Sequence, residues 1–135
     1  MRAWIALLVL TGAATAAYAY SPATNYTLHC QGCHLADGTA SADKVPALAG
    51  SVAQFLRVPE GRAFLVRVPG VANAQLADAD LAALLDWTLR RFDAANLPAD
   101  FVPYTADEVH RLRAEPLVDM APARRRLLDA IESKR

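Results

Sequence analysis

The sequence predicts a small all-α fold, and three observations support that prediction. Apolar residues recur at the three- and four-residue spacing of helix faces in several segments. A Ser, Asp or Thr residue precedes three of these segments as a predicted helix cap, and prolines and glycines divide the segments. The chain has no run of alternating strand and helix patterns. Its 135 residues suffice for one domain with one hydrophobic core.

The first 19 residues have the pattern of a secretory signal peptide. Arg2 supplies one positive charge, an apolar run extends to Leu10, and small residues lead to Ala17-Tyr18-Ala19, which resembles an A-x-A cleavage site. We expect cleavage after Ala19 and an exported protein, most simply in a bacterial periplasm. The apolar run is short for a membrane span, although an uncleaved N-terminal anchor is the alternative.

Charge and hydropathy restrict the partners that this chain can have. It contains 14 basic and 14 acidic residues, and removal of Arg2 with the signal leaves 13 basic residues against 14 acidic ones. We expect no nucleic-acid partner, because binding to phosphates requires a basic surface. No stretch after the signal is apolar enough for a transmembrane helix, so we expect the mature protein not to be integral to a membrane.

A helix is predicted to begin at Ser21-Pro22, with the serine as N-cap and the proline at the first helical position. The residues that then recur on one helical face are Ala23, Tyr26, Cys30 and Cys33. We expect this face to be buried, which places both cysteines on the side of the core and Tyr26 one turn before them.

The motif that carries chemistry is Cys-Gln-Gly-Cys-His at residues 30–34, the attachment signature of c-type haem. Side chains at i and i+3 share a helix face, so the sulfurs of Cys30 and Cys33 can reach the two vinyl groups on one edge of a porphyrin. His34 follows at once and can bind the iron as proximal ligand. We therefore predict one covalent haem c, with its iron, bound by Cys30, Cys33 and His34.

Three other interpretations of the motif are less consistent with the chain. A thioredoxin-like redox pair would be expected near a strand–helix–strand pattern, which this sequence lacks. A structural zinc site needs four ligands, and the remaining histidines, His29 and His110, do not have zinc-finger spacing. A disulfide is compatible with an exported chain but does not require His34.

The segment after the motif is predicted to be a loop through Gly50, followed by two short helical pieces at 52–57 and 62–67, each ended by a proline. The best-defined helix comes next, with Asp78 as its N-cap. Its apolar residues fall along one face: Leu81, Leu84, Leu85, Leu89 and Phe92. We expect this helix to pack against the first one and to close the haem pocket.

A connector over 93–104 leads to a helical C-terminal extension. Thr105 and Glu108 have the form of a capping box, and Val109 and Leu112 follow as apolar positions. A last helix is predicted within 119–133, with an apolar face of Leu127, Leu128 and Ile131. The arginines at 124–126 are interpreted as a solvated helix face rather than a docking patch, because acidic residues are nearly as frequent in this extension.

Residues 21–93 resemble a class I c-type cytochrome in three features: the N-terminal helix with the haem motif, the Pro-Ala-Leu-Ala-Gly stretch at 46–50, and the closing helix at about 79–92. The resemblance implies an all-α, cytochrome c-like globule around one covalent haem, with an edge of the haem exposed. It also implies that the Pro46 carbonyl accepts a hydrogen bond from the His34 ring, and that Trp87 packs where the first and closing helices cross. The expected division is a signal peptide at 1–19, a haem domain at 20–93, and a connector with a helical C-terminal extension at 94–135.

The chain departs from this family at the sixth iron ligand. Family members usually place a methionine in the loop before the closing helix, where this chain has Val68, which lacks a donor atom. The candidates left open are Met120 in the extension, His110, Lys44, or no ligand at all. His29 is set aside because it precedes the motif on the proximal helix. We favour an open or weakly ligated distal site, with Met120 as the second choice.

Four basic residues surround the presumed pocket in sequence: Lys44, Arg57, Arg62 and Arg67. Two interpretations remain open for each of them. It could pair with a haem propionate through a charge-assisted hydrogen bond, or it could face solvent on a short helix.

The predicted function is to carry single electrons between redox proteins, such as a dehydrogenase or another cytochrome, with the haem supplying the chemistry. A different class of function is a haem protein with an open distal site that binds a small gas or reacts with peroxide. A third is a small subunit whose extension docks onto a larger enzyme. No catalytic constellation stands apart from the haem motif, so an electron carrier rather than an enzyme is expected.

Overall fold

The computed structural model describes residues 20–41 and 45–134; their regular structure is helical, with no strand among them. The α-helices are α1 (Pro22–His29), α2 (Gln31–His34), α3 (Gly61–Arg67), α4 (Pro69–Ala72), α5 (Asp78–Asp93), α6 (Ala106–Arg113) and α7 (Met120–Glu132), and two 3₁₀ helices span Val52–Arg57 and Ala94–Asn96. The all-α prediction is confirmed. The expected signal segment at 1–19 and Lys44 lie outside the described residues.

Helix α1 packs against α5, as predicted, and three aromatic rings fill the crossing. The ring of Tyr26 lies with its centroid 5.4 Å from that of Trp87 and 4.9 Å from that of Phe92. Trp87 and Phe92 meet edge to face at 5.7 Å. Such tilted and edge-to-face pairs contribute beyond the area that they bury. The expected position of Trp87 at the crossing is therefore confirmed.

The prediction of one continuous helix through the cysteines is wrong. Helix α1 ends at His29, because the backbone of Cys30 (φ −124°, ψ −36°) leaves the helical region before α2 resumes at Gln31. The predicted buried face is also partly wrong, since Ala23 is exposed whereas Asn25 is buried. Ser21 caps α1 as expected, accepting a hydrogen bond from the backbone N–H of Thr24 at 3.2 Å.

The closing helix α5 begins one residue earlier than predicted. Ala77 occupies the N-cap position without a side-chain hydrogen bond, and Asp78 is already helical. The Asp78 carboxylate instead binds two side chains of α6, Arg113 at 3.1 Å and His110 at 2.9 Å. Sequence pattern could not reveal this, because the competing partners lie more than 30 residues away along the chain.

The C-terminal extension packs onto the rest of the molecule. Helix α6 contacts α5, α3 and α4, and α7 contacts the 3₁₀ helix at Val52–Arg57. Buried side chains of the extension, including Val109, Leu127 and Ile131, belong to the same hydrophobic cluster as Tyr26 and Leu81. Thr105 caps α6 as predicted, and Asp119 caps α7. Within the described residues, no helix has the length and apolar character needed to cross a bilayer.

Candidate haem-binding site

The cysteines and histidine of the motif share one helical turn. The backbone N–H groups of Cys33 and His34 both donate to the carbonyl of Cys30, at 3.1 and 3.0 Å. Both cysteines are free thiols; Cys30 is half-buried and Cys33 is exposed. The break before α2 therefore preserves the local turn that brings an i, i+3 pair of sulfurs to one side.

His34 has the environment of a neutral metal-binding imidazole. Desolvation lowers the pKa of its half-buried ring, and a neutral ring is the form that binds a metal. The carbonyl of Pro46 acts in the opposite direction and raises the pKa, so it approaches the ring as the resemblance implies. Nδ1 is nevertheless buried without a partner that meets strict hydrogen-bond geometry.

Tyr26 fixes the backbone immediately after the motif. Its hydroxyl donates its one proton chiefly to the carbonyl of Leu35 at 2.7 Å, and the carbonyl of His34 lies 3.2 Å away as a second, weaker acceptor of the same proton. Burial raises the pKa of Tyr26 to about 12, so the hydroxyl remains a donor at neutral pH. These bonds hold Leu35 in a left-handed conformation (φ 51°) that a non-glycine residue rarely adopts. Sequence analysis assigned Tyr26 to packing and missed this second role.

The loop after the motif returns to the end of α5. The backbone N–H of Ser41 donates to the Cys33 carbonyl at 3.0 Å, and that of Leu48 donates to the Gly38 carbonyl at 2.7 Å. Gly38 has φ +77°, and a Cβ atom at this position would lie 2.5 Å from the ring of Phe92. Only glycine fits there, which ties the loop to the aromatic cluster at the α1–α5 crossing.

The segment 72–78, from the end of α4 to the first residue of α5, is bound by the extension mainly through Arg113. The guanidinium of Arg113 donates to the carbonyls of Ala72 at 3.0 Å and Leu76 at 2.9 Å, and also to the carbonyl of Ala74. It reaches the Asp78 carboxylate as well. This segment joins Val68, the position at which the family resemblance places the distal ligand, to the closing helix. The extension therefore fixes the conformation of that loop, which sequence analysis did not foresee.

The candidate distal ligands differ in their surroundings. Val68 is half-buried at the junction of α3 and α4 and packs against the core. His110 has a side chain that is 76% exposed, and its Nδ1 lies 2.9 Å from the Asp78 carboxylate. Met120 is 43% exposed and begins α7. His29 is exposed at the end of α1. His110 is thus already engaged away from any buried site.

Two of the arginines near the predicted haem pocket, Arg62 and Arg67, bind residues of the C-terminal extension. Arg62 forms a bidentate pair with Glu108, with N–O distances of 2.6 and 2.7 Å, and its guanidinium lies 3.9 Å from the ring centre of Tyr104. Arg67 donates to the carbonyl of Glu115 at 2.7 Å. The sequence left open whether Arg62 pairs with a haem propionate or faces solvent. Neither interpretation describes it, because its guanidinium binds the carboxylate of Glu108.

The residues of the site fit a covalent haem better than the alternatives. A structural zinc site needs four ligands, and the motif supplies three, from Cys30, Cys33 and His34. No cluster of three or more His, Cys, Asp or Glu side chains that could hold a metal ion occurs in the described part of the chain. Two free thiols one turn apart and a desolvated histidine directly after them match the donors that haem c requires.

The haem motif follows the first helix, α1, and the closing helix, α5, packs against α1. This arrangement in an all-helical globule is that of the monohaem c-type cytochromes. The chain is 32% identical to a cytochrome c-552 from Thermus thermophilus, over 86% of this chain and 88% of the relative. It is 34% identical to another Thermus thermophilus cytochrome c-552, over 65% of this chain and 81% of that protein. No protein-family model matches the chain. At this identity and coverage, the chain belongs to the class I c-type cytochrome family.

Proposed function

We propose that the chain is an exported carrier of single electrons. One haem c would be joined to Cys30 and Cys33 through thioethers, with His34 as an iron ligand. Its partners would be redox proteins of the periplasm, such as a dehydrogenase or another cytochrome. The observation that carries this proposal is the desolvated His34 ring directly after two free thiols on one turn. Relatives named cytochrome c-552 support it independently.

The chain's own residues would set the conditions for electron transfer. When bound, the haem supplies an iron that alternates between ferrous and ferric states. Burial of His34 keeps the ligand neutral, and the Tyr26 hydroxyl fixes the backbone that carries it. The apolar core around α1 and α5 lowers the local dielectric, which is one of the terms that set a reduction potential.

The proposal is tested by spectroelectrochemical titration of protein made in a host that attaches haem to exported chains. We expect one haem per chain and a reversible transition that fits a one-electron Nernst curve. In His34→Ala the ordinary ferrous spectrum should be lost. His29→Ala provides the matched control, because His29 is exposed on α1 and should leave the spectrum and the midpoint unchanged. Absence of covalent haem, or no reversible one-electron transition, would contradict the proposal.

A second candidate function is the binding of a small gas or reaction with peroxide at an open distal face. The observation that favours it is the hydrocarbon side chain of Val68 at the family's ligand position, together with the engagement of His110 by Asp78. Rapid CO binding by the ferrous protein at neutral pH would support this function. A methionine-to-iron charge-transfer band in the ferric spectrum that disappears in Met120→Ala would exclude the open site and identify Met120 as the ligand.

A further inference from the structure

Part of the C-terminal extension lies along the segment that joins α3 to the closing helix. We call residues 110–117 the strap and residues 67–78 the distal segment, because this segment contains Val68, the position at which the family resemblance places the distal ligand. The two stretches run in opposite directions: the end of the strap binds the beginning of the segment, and the beginning of the strap binds its end. One continuous stretch of the extension therefore contacts the distal segment at both ends.

Two hydrogen bonds join the strap to the first residue of the distal segment, Arg67. The backbone N–H of Leu117 donates to the Arg67 carbonyl at 2.8 Å, and Nε of Arg67 donates to the Glu115 carbonyl at 2.7 Å. The Glu115 carboxylate also lies 3.8 Å from the Arg67 guanidinium, but its side chain is 81% exposed and the ion pair adds little. These bonds hold the backbone directly before Val68.

Arg113 makes most of the contacts at the other end of the strap. Its guanidinium donates to three backbone carbonyls and one carboxylate of the distal segment, those of Ala72, Ala74, Leu76 and Asp78. The Arg113 side chain is 17% exposed, so water has little access to replace these bonds when they break. One rigid, planar guanidinium can bind three carbonyls only while the backbone keeps the conformation that brings them together. Arg113 therefore selects one conformation of this part of the segment.

The side chains of the distal segment form an apolar wall and provide no usual haem ligand. Val68, Val71 and Leu76 are half-buried and pack against the same hydrophobic cluster as Cys30. The sequence from 68 to 78 contains no Met, His, Cys or Tyr, the side chains that commonly bind haem iron. The segment can therefore cover the distal side of the site, and a small molecule arriving from that side would have to displace it.

We propose that Arg113 is a positioning residue for the distal side of the haem, because it holds the distal segment closed and so limits the access of small ligands to the iron. The inference rests on the proposed function, which places a haem on Cys30 and Cys33 with His34 as a ligand. Binding of a ligand then requires the segment to open, and the apparent dissociation constant varies inversely with the open fraction. Release of the strap raises that fraction and tightens binding, with no change among the residues that hold the haem.

Imidazole binding to the ferric, haem-loaded protein tests the proposal, measured by optical titration at neutral pH. One bond forms between an imidazole nitrogen and the iron, and no electron is transferred. The variant Arg113→Met keeps most of the aliphatic stem and removes every hydrogen bond of the guanidinium. Loss of three hydrogen bonds sets an upper limit on the order of a hundredfold for the increase in the open fraction. We expect the dissociation constant for imidazole to fall at least about tenfold.

A second variant releases the other end of the strap. Arg67→Met removes the hydrogen bond from Nε to the Glu115 carbonyl but leaves the contacts of Arg113 in place. With one hydrogen bond lost, the dissociation constant for imidazole should fall about threefold. This variant carries the test where Arg113→Met does not fold.

Two control variants separate positioning from a change in charge and from general destabilisation. Arg111→Met makes the same change in charge at an exposed position of α6. Leu127→Ala leaves a cavity under α7, which packs on Val52–Arg57, and so lowers the overall stability at a site outside the strap. In both controls the dissociation constant for imidazole should stay within about twofold of the wild-type value.

Two results would overturn the inference. One is a dissociation constant within about twofold of the wild type in Arg113→Met, or in Arg67→Met where Arg113→Met does not fold. The other is an equal fall in Leu127→Ala, since general loosening of the fold would then admit the ligand. Either result can occur in a protein with one haem and a reversible one-electron couple, so this inference can fail while the proposed function stands. Absence of that couple in the wild type would instead contradict the proposed function.

Discussion

Replacing Arg113 tests whether the extension holds the segment before the closing helix. The variant Arg113→Met keeps most of the aliphatic stem but removes every hydrogen bond of the guanidinium. Three backbone carbonyls of segment 72–78 would then lose the guanidinium as a donor, in a site where the Arg113 side chain is 17% exposed; the Ala74 carbonyl keeps the Leu76 backbone N–H as its other donor. At roughly 1 kcal/mol net for each bond, the expected loss is about 3 kcal/mol of the free energy of unfolding. The ion pair with Asp78 adds little because it is partly solvated.

The assay is urea unfolding of the haem-loaded protein at neutral pH, followed by far-UV circular dichroism. A loss of about 3 kcal/mol corresponds to a melting temperature lower by roughly 10 °C in a domain of this size. Arg111→Met is the matched control, since Arg111 lies on the same helix and is exposed. The free energy of unfolding of Arg111→Met should stay within about 0.5 kcal/mol of the wild-type value.

Hydrogen exchange adds a local measurement to the same test. Faster exchange of the backbone amides in 72–78, beyond that in α1, would identify the released segment. A loss below about 1 kcal/mol in Arg113→Met, or one equal to that of Arg111→Met, would refute the assignment of Arg113 as the residue that holds this loop.

Three further predictions concern other contacts of the fold. The pKa of Glu108 is lowered by Arg62, so its stabilising contribution is present above its ordinary pKa of 4.5 and is lost as the pH falls through the lowered value. In urea titrations, Glu108→Gln should therefore have a lower free energy of unfolding than the wild type at pH 7 and the same one at about pH 2. An equal difference from the wild type at both pH values would contradict the contribution of the Arg62–Glu108 ion pair. Gly61→Ala should lower the free energy of unfolding by more than about 3 kcal/mol, measured by thermal unfolding, because the added Cβ would lie 1.9 Å from a backbone carbonyl oxygen. Gly70→Ala is the control and should leave this free energy nearly unchanged, because its Cβ would have no neighbour within 4 Å. Tyr26→Phe keeps the ring contacts but loses the hydrogen bond that the hydroxyl shares between the carbonyls of Leu35 and His34, and should lower the free energy of unfolding by about 1–2 kcal/mol without loss of haem. An unchanged midpoint in urea would contradict this contribution.

Local sequence patterns predicted the helices well. Caps at Ser21, Thr105 and Asp119 occur where the serine, threonine and aspartate stand in the sequence. The apolar face of α5 is buried as its spacing indicated, through Leu81, Leu84, Leu85 and Leu89. These features depend on neighbours within a few residues, and that is the information that periodicity and capping residues carry.

The errors arose where distant residues compete with local preference. Asp78 was assigned as an N-cap, but Arg113 and His110 bind its carboxylate from α6. The double role of Tyr26 and the attachment of the extension through Arg62 likewise depend on partners that no local pattern identifies. The motif itself was read from residues 30–34 alone, because its chemistry is encoded within one helical turn.

The distal side of the site is the part that sequence left open, for a physical reason. Val68 excludes a ligand from the expected position, but the side chain that replaces a methionine can come from any segment that reaches the iron. Because His110 is hydrogen-bonded to Asp78, the candidates that remain for the sixth iron ligand are Met120, Lys44 or no protein side chain. The CO and charge-transfer measurements described above decide among these.

The intact mass of the purified, exported chain is the most direct test of covalent haem attachment at residues 30–34. We expect the chain, after denaturation and acid–acetone extraction, to retain the mass of one haem on Cys30 and Cys33. Substitution of both cysteines by serine should remove that added mass. A wild-type chain that emerges from extraction at the mass of its polypeptide alone would contradict the assignment of residues 30–34 as a haem attachment site.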